Sequence, residues 1–142
     1  MKISSPDFMH NALLPGKFTC MGLGVNPALV IEGIPGNTKT LAIIMDDPDA
    51  PRAIFVHWIV YNIPSVSMIN KDSIPGTEGI NTTGSTAYVP PCPPSGTHRY
   101  FFKVYALDKE LNFDSSPDKR DLEAAMQGHI IGSAEIIGLV KR

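Results

Sequence analysis

Four of the five residues in Pro90-Pro91-Cys92-Pro93-Pro94 are prolines, and no other stretch limits the fold as severely. Each proline removes a backbone N–H and holds φ in one narrow range, so the segment can join neither a helix nor the interior of a sheet. Tyr88–Gly96 is therefore a stiff, largely extended loop, and the regular elements must be laid out around it. Elsewhere the chain is punctuated in the same way. Glycine (12) and proline (13) recur along all 142 residues, cutting the chain into short segments, which favours many short strands over a helical bundle.

Composition narrows the function classes. Hydrophobic residues make up 43%, too many for a disordered chain and enough for one core, so residues 1–142 are read as a single domain. A net charge of −2 and a pI near 6.0 lack the basic excess of a nucleic-acid binder. The uncharged stretch Ala53–Asn70 is interrupted by His57, Asn62, Pro64, Ser65 and Ser67 and does not suit a membrane span. Met1-Lys2-Ile3-Ser4-Ser5-Pro6 has no apolar core of a signal peptide, and Val140-Lys141-Arg142 carries no lipidation motif. Cys20 and Cys92 are accordingly read as free thiols of a reducing compartment, and the expected location is cytoplasmic.

Along the chain, residues 1–26 read as irregular, followed by a short strand at Ala28–Ile31. Thr40–Met45 is a continuous apolar run between turn signals, the pattern of a strand buried on both faces, and it stops at Asp46-Asp47-Pro48-Asp49-Ala50-Pro51. Phe55–Asn62 and His98–Leu107 are rich in aromatic and β-branched residues and read as further strands. Residues 65–86 read as an exposed loop. One helix is signalled, with Ser116 as N-cap, Pro117 at its first position, Asp118 in its first turn, and Leu122, Ala125, Met126 and His129 on one face. Ile130–Val140 fits either a second helix or a strand. The expected class is mainly β, an antiparallel sandwich with a C-terminal helical element.

Three polar clusters lie at strand ends. In the first, Asp46, Asp47 and Asp49 follow a buried strand directly. A solvated Asp-Pro turn is the simpler account, and a calcium loop lacks its glycine and closing glutamate. In the second, strand alternation puts His57 and Ile59 on one face, Val56 and Trp58 on the other. In the third, His98 and Tyr100 share a face and Arg99 points the opposite way, where a carboxylate could pair with it. Each cluster alone is most simply structural. Together they place two histidines, several aspartates and stiff proline corners where an antiparallel sheet can gather them into one mouth, suited to an anionic, hydroxylated or ammonium ligand.

These residues carry a resemblance. Asp47-Pro48-Asp49-Ala50-Pro51, His57-Trp58-Ile59-Val60-Tyr61-Asn62-Ile63-Pro64 and Pro91-Cys92-Pro93-Pro94-Ser95-Gly96-Thr97-His98-Arg99-Tyr100 resemble the phosphatidylethanolamine-binding protein (PEBP) family, also called the Raf kinase inhibitor protein family, in its short bacterial branch. Leu14-Pro15, Asn26-Pro27-Ala28-Leu29, Tyr105-Ala106-Leu107-Asp108 and Ala125-Met126-Gln127-Gly128-His129 extend the likeness over nearly the whole chain. The resemblance implies a large central antiparallel sheet packed against a smaller one, with short C-terminal helices. It also implies a pocket for phosphate or a phospholipid head group, built from Asp47, Asp49, Pro51, His57, Pro93, Pro94, Gly96, His98 and Tyr100. There the histidines would donate to phosphate oxygens, the aspartates would orient them or meet an ammonium, and the prolines would stiffen the rim. No cofactor or metal is implied; a homodimer and a kinase or protease target are. Two departures bear on the pocket. Pro90 stands where relatives carry glycine and loses a backbone donor, and Leu139 stands where relatives often carry an aromatic.

The leading expectation is thus a non-enzymatic anion-binding or phospholipid-head-group-binding protein that regulates kinases or proteases by inhibition. A hydrolase using Cys92 or Ser95 with His98 and Asp47 is the alternative, although no feature lowers the Cys92 pKa and Ser95 lacks a nucleophile elbow. A zinc or iron site at the histidines lacks a close-spaced ligand pair. A structural interaction module is the third reading.

Overall fold

A computed structural model describes all 142 residues. The strands are β1 (Lys2–Ser4), β2 (Ala12–Leu13), β3 (Leu29–Glu32), β4 (Thr40–Asp47), β5 (Phe55–Pro64), β6 (Met68–Ile69), β7 (Thr77–Glu78), β8 (Thr97–Leu107) and β9 (Ile130–Lys141). One α-helix, α1 (Lys119–Met126), and a 3₁₀ turn at Gly16–Phe18 complete the elements. Six strands form one sheet in the order β2-β9-β8-β4-β5-β7, antiparallel except for β2 beside β9, and β1-β3-β6 form a smaller antiparallel sheet.

β4 explains the layering. All eight of its residues are buried. Leu41, Ile43 and Met45 pack with Ile3, Leu29, Ile31 and Ile69 of the small sheet, filling the space between the two sheets. Ala42 and Ile44 point the other way, into a second cluster with Leu122 and Met126 of α1 and Leu111 of the loop before it. A strand covered on both faces loses the alternation of an exposed strand and reads as an unbroken apolar run. The apolar run stops at Met45 but the strand does not: Asp46 and Asp47 remain in it, opposite Val56 and Phe55.

The sequence expectations need correction at four places. The N-cap of α1 is Asp118, not Ser116, because the Asp118 carboxylate accepts from the Asp121 N–H at 2.8 Å while the Asp121 carboxylate accepts from the Asp118 N–H at 3.2 Å. Pro117 therefore lies one residue outside the helix, and its carbonyl accepts from the Ile80 N–H at 2.7 Å. The C-terminal element is one helix rather than several, since Gly128 turns the chain in the left-handed region (φ +82°) and Ile130–Lys141 runs as a strand along the whole of β8. Finally, residues 1–26 and 65–86 contain the short strands β1, β2, β6 and β7, whose two or three residues show no periodicity. No helix is long and apolar enough to cross a membrane.

Candidate functional site

Antiparallel neighbours bring the end of one strand beside the start of the next. The end of β4 (Asp46, Asp47), the start of β5 (Phe55, His57) and the start of β8 (His98, Tyr100) therefore meet at one end of the large sheet, although β5 begins at Phe55 and β8 only at Thr97. The Asp47 carboxylate is the hub. One oxygen accepts from His98 Nδ1 at 2.7 Å, and the other accepts from the Asp49 N–H at 2.8 Å. An ionised carboxylate only accepts, so His98 carries its proton on Nδ1 and presents Nε2 outward. Tyr100, on the same face of β8, lies with its ring 6.5 Å from that of His98. Burial first, then the Asp47 charge and hydrogen bond, hold the Tyr100 phenol above its ordinary range.

His57 reaches the same place by a different route. Between Met45↔Trp58 and Asp46↔Val56 the ladder advances one residue on β4 and two on β5, so His57 is the extra residue of a β-bulge. The face assignment from strict alternation fails for this reason. Val56 and Ile59 share the helix-covered face, whereas Trp58 faces the inter-sheet core and the His57 ring stands 5.2 Å from that of Tyr100. His57 Nδ1 lies 2.8 Å from the Val89 carbonyl. A carbonyl only accepts, so Nδ1 carries the proton, and in the neutral ring Nε2 is a bare acceptor. Burial lowers the His57 pKa, opposed by the Val89 contact and by the Asp47 and Asp46 charges. With Nδ1 held by the Val89 carbonyl, the neutral ring presents Nε2 as an acceptor, and donation from His57 to a phosphate would require a second ring proton there.

These side chains enclose a cavity of about 210 Å³. Of the residues expected there, Asp47, Pro51 and His57 line it from the β4–β5 side, and Pro93, Pro94, His98 and Tyr100 from the other. Two expected residues do not. Asp49 turns its carboxylate to Arg99, accepting from the backbone N–H, Nε and Nη2, each at 2.9 Å. Those bonds hold its pKa below the usual carboxylate range and pin the β4–β5 turn to β8. Gly96 is not in the wall either. Its left-handed φ (+70°) turns the loop into β8, and its carbonyl accepts from the Arg142 N–H. The wall also includes Pro90 and Cys92, named above on other grounds, and Ala50, Phe55 and Val89, to which sequence reasoning assigned no role. Val89 matters through its carbonyl, a backbone atom that side-chain chemistry does not advertise. Leu139 lies opposite Arg99 and Leu13, away from the cavity.

The proline rim is braced by residues 18–24. Tyr88 donates from its hydroxyl to the Phe18 carbonyl at 2.9 Å, and the Cys20 N–H donates to the Pro91 carbonyl at 3.1 Å. Gly24 has φ +71°, and a Cβ there would meet Pro90 Cγ at 2.6 Å, so only glycine lets the rim rest against it. Cys20 and Cys92 are joined by a disulfide, which corrects the reading of both as free thiols. Two cysteines far apart in sequence meet because the Cys20 loop and the rim pack together. The cysteines thus give no argument for a reducing compartment, and Cys92 has no thiolate to act as a nucleophile. Arg142 places Nη1 3.2 Å from Cys92 Sγ and 3.6 Å from Cys20 Sγ. Ser95, the other nucleophile considered, does not line the cavity.

The only enclosed side-chain N or O atom without a partner anywhere in the protein is Thr38 Oγ1. Nε2 of His57 and of His98 have no partner in the protein, so both remain open to a ligand. No Lys or Arg lines the cavity, and nowhere do three or more His, Cys, Asp or Glu side chains converge as metal ligands. What remains is a small, semi-apolar cup with two outward ring nitrogens, one backed by a carboxylate and the other by a carbonyl.

Comparison with known proteins places this arrangement. The phosphatidylethanolamine-binding protein family matches residues 4–141. A protein named UPF0098 from Methanothermobacter thermautotrophicus is 40% identical, the match covering 100% of this chain and 99% of that protein. A protein of the same designation from Pyrococcus abyssi is 46% identical over 100% of this chain and 85% of its own length. Among solved structures, a putative PEBP homologue of Chlamydia trachomatis superposes with a TM-score of 0.95 at 38% identity, covering 99% of this chain and 97% of that one. Escherichia coli YbcL, described as a member of the mammalian PEBP family, superposes with a TM-score of 0.91 at 28% identity, covering 99% and 98%. With the family matched from Ser4 to Lys141 and the same two-sheet fold shared over almost every residue, the chain belongs to the phosphatidylethanolamine-binding protein family.

Proposed function

We propose that the protein binds a small oxyanion, phosphate or a phosphate ester such as phosphoethanolamine, in the cavity between His57 and His98, and does not turn it over. The observation that carries this reading is the pair of open Nε2 atoms on imidazoles whose Nδ1 atoms are both already fixed, at 2.7 Å to Asp47 and 2.8 Å to Val89. Two rings held in this way are preorganised for a tetrahedral ligand, and preorganisation lowers the entropic cost of binding. The cavity volume, about 210 Å³, suits a head group and not a whole lipid.

Binding without turnover is supported by the residues around the dyad. His98 and Asp47 form the base-and-orienter half of a hydrolytic triad, but the third member is missing: Cys92 is tied up in the disulfide and Ser95 lies outside the wall. Regulation of a kinase or protease would then be a consequence of occupancy, through the rim that a partner would meet. The test is an NMR titration with inorganic phosphate and with phosphoethanolamine, following the ring resonances of His57 and His98. Saturable movement of both is expected, with no hydrolysis of phosphoethanolamine or of a general ester substrate. Neither histidine moving with any oxyanion would end the reading.

A further inference from the structure

The Cys20–Cys92 disulfide is placed for chemistry as well as for bracing. Both cysteines are exposed, and neither belongs to either apolar cluster, so opening the bond leaves the core untouched. Cys92 is also part of the cavity wall. Beside the bond stands a cation with no carboxylate to pair with. The Arg142 guanidinium takes part in none of the ion pairs of the protein. Its hydrogen bonds go instead to the two sulfurs, Cys92 Sγ at 3.2 Å and Cys20 Sγ at 3.6 Å. The backbone fixes it there, since the Arg142 N–H donates to the Gly96 carbonyl at 2.9 Å and the preceding Lys141 pairs with Thr97.

A disulfide sulfur is a weak acceptor and gives a guanidinium little. A thiolate is a full negative charge, and a neighbouring cation favours it. The Arg142 contact is therefore stronger after the bond opens than before. A sulfur that departs as a stabilised thiolate departs faster, and exposed disulfides are the labile ones. Arg142 lies nearer to Cys92, which makes Cys92 the leaving sulfur and Cys20 the one attacked.

From this geometry we infer that Cys20–Cys92 is a thiol–disulfide exchange site, opened by a dithiol reductant in the folded protein and closed again, with Arg142 holding the departing Cys92 thiolate. A thiolate of the reductant attacks Cys20 Sγ, the S–S bond breaks, and its electron pair leaves on Cys92 Sγ. The reductant's second thiolate then attacks its own sulfur in the mixed disulfide and releases Cys20. Two electrons pass to the protein, the dithiol ends as a disulfide, and its two protons pass to Cys20 and to solvent. Closure reverses these steps, with the Cys92 thiolate attacking Cys20 Sγ in the mixed disulfide. The bond ties the rim to the Cys20 loop, and the rim residue Val89 fixes His57 Nδ1 through its carbonyl. The redox state of the pair thus sets how firmly that side of the cavity is held, whatever the cavity binds.

The test treats the folded wild type and Arg142→Ala with dithiothreitol at neutral pH, and counts opened bonds by alkylation and mass. The wild-type bond should open without denaturant and re-form when oxidised dithiothreitol replaces the reductant, with the His57 ring resonances moving and then returning. A bond that opens only after urea unfolds the chain overturns the inference, and so does a His57 ring that does not move in the reduced, folded protein. Arg142→Ala should slow opening at least about threefold, and Arg142→Lys, which keeps the charge, should recover most of that loss. Equal rates in wild type and Arg142→Ala overturn the part given to Arg142. A second readout is independent of rate. Glutathione, a monothiol, should leave its mixed disulfide on Cys20 and free Cys92 for alkylation, as read by peptide mass mapping; glutathione found chiefly on Cys92 overturns the order of attack. None of these outcomes bears on whether the cavity takes an oxyanion.

Discussion

His98 and Pro93 line the same cavity but are held there by different means. His98 belongs to β8, paired with Val140 of β9, and its ring is fixed by a carboxylate on the adjacent strand. The proline rim belongs to no sheet. It is held by what lies behind it: the Tyr88 hydroxyl on the Phe18 carbonyl, the Cys20 N–H on the Pro91 carbonyl, Pro90 against Gly24, and the Cys20–Cys92 disulfide. The floor therefore inherits the cooperativity of the large sheet, while the rim depends on a few separable contacts with an N-terminal loop. Positions of the first kind move only when the protein unfolds, and those of the second kind can loosen locally. Val89 bridges the two, since its N–H and carbonyl both engage His57.

Breaking the rim's covalent brace is expected to have the largest effect. The cysteines are 72 residues apart in sequence, and a loop of that size, on the chain-entropy account, contributes about 4 kcal/mol. Cys20→Ser with Cys92→Ser, or reduction of the wild type, should lower the unfolding free energy read from urea titration by an amount of that order, while hydrogen exchange quickens first in residues 88–94. Uniform quickening across β4 and β8 would show that rim and floor are one unit. Next comes Asp47→Ala, which leaves buried His98 Nδ1 without an acceptor and should cost about 1–3 kcal/mol. Its signature is loss of ligand response at His98 with an unaltered rim, and a full response in the variant would rule out Asp47 as the orienting group.

Tyr88→Phe removes one hydrogen bond from the rim and should cost about 1 kcal/mol, with looser ligand binding and unchanged exchange in the floor, both read from calorimetry and hydrogen exchange. Acid sharpens the comparison on the floor. His57 titrates below its unfolded value of about 6.5, so as pH falls through that value the unfolded chain takes up a proton that the folded chain refuses. The stability His57 permits at neutral pH is then lost between the unfolded pKa and the lower folded one. Urea midpoints should fall over that window in the wild type and fall less in His57→Gln. The smallest effect is expected from Arg99→Ala. Its bonds to Asp49 are exposed and screened by salt, so the melting temperature should barely change at high ionic strength. A large drop there would mean that the β4–β5 turn depends on this clamp.

Much of the floor was legible because its signals are local. A strand covered on both faces carries a run of apolar residues, as Leu41–Met45 does; alternation on β8 put His98 and Tyr100 on one side and Arg99 on the other, where Asp49 meets it. The rim was recognisable only as rigid, since prolines specify φ and remove donors but do not say what they lean on. Asp49 and Gly96 belong to the motif yet lie outside the cavity wall, because adjacency in sequence to a wall residue does not set where a residue faces.

Local chemistry in the 142 residues determined the class of fold and the long strands, because hydrophobic periodicity and turn residues act over a few positions, while the sharing of one pocket by two histidines and an aspartate was implied by the family resemblance. Three matters were decided only by the tertiary structure: that His57 sits on a bulge, that Cys20 bonds Cys92, and that one imidazole faces a carboxylate while the other faces a carbonyl. Each depends on the register or the packing of segments distant in the chain. Such pairings follow from the energy of the whole core, and no short stretch of residues encodes them.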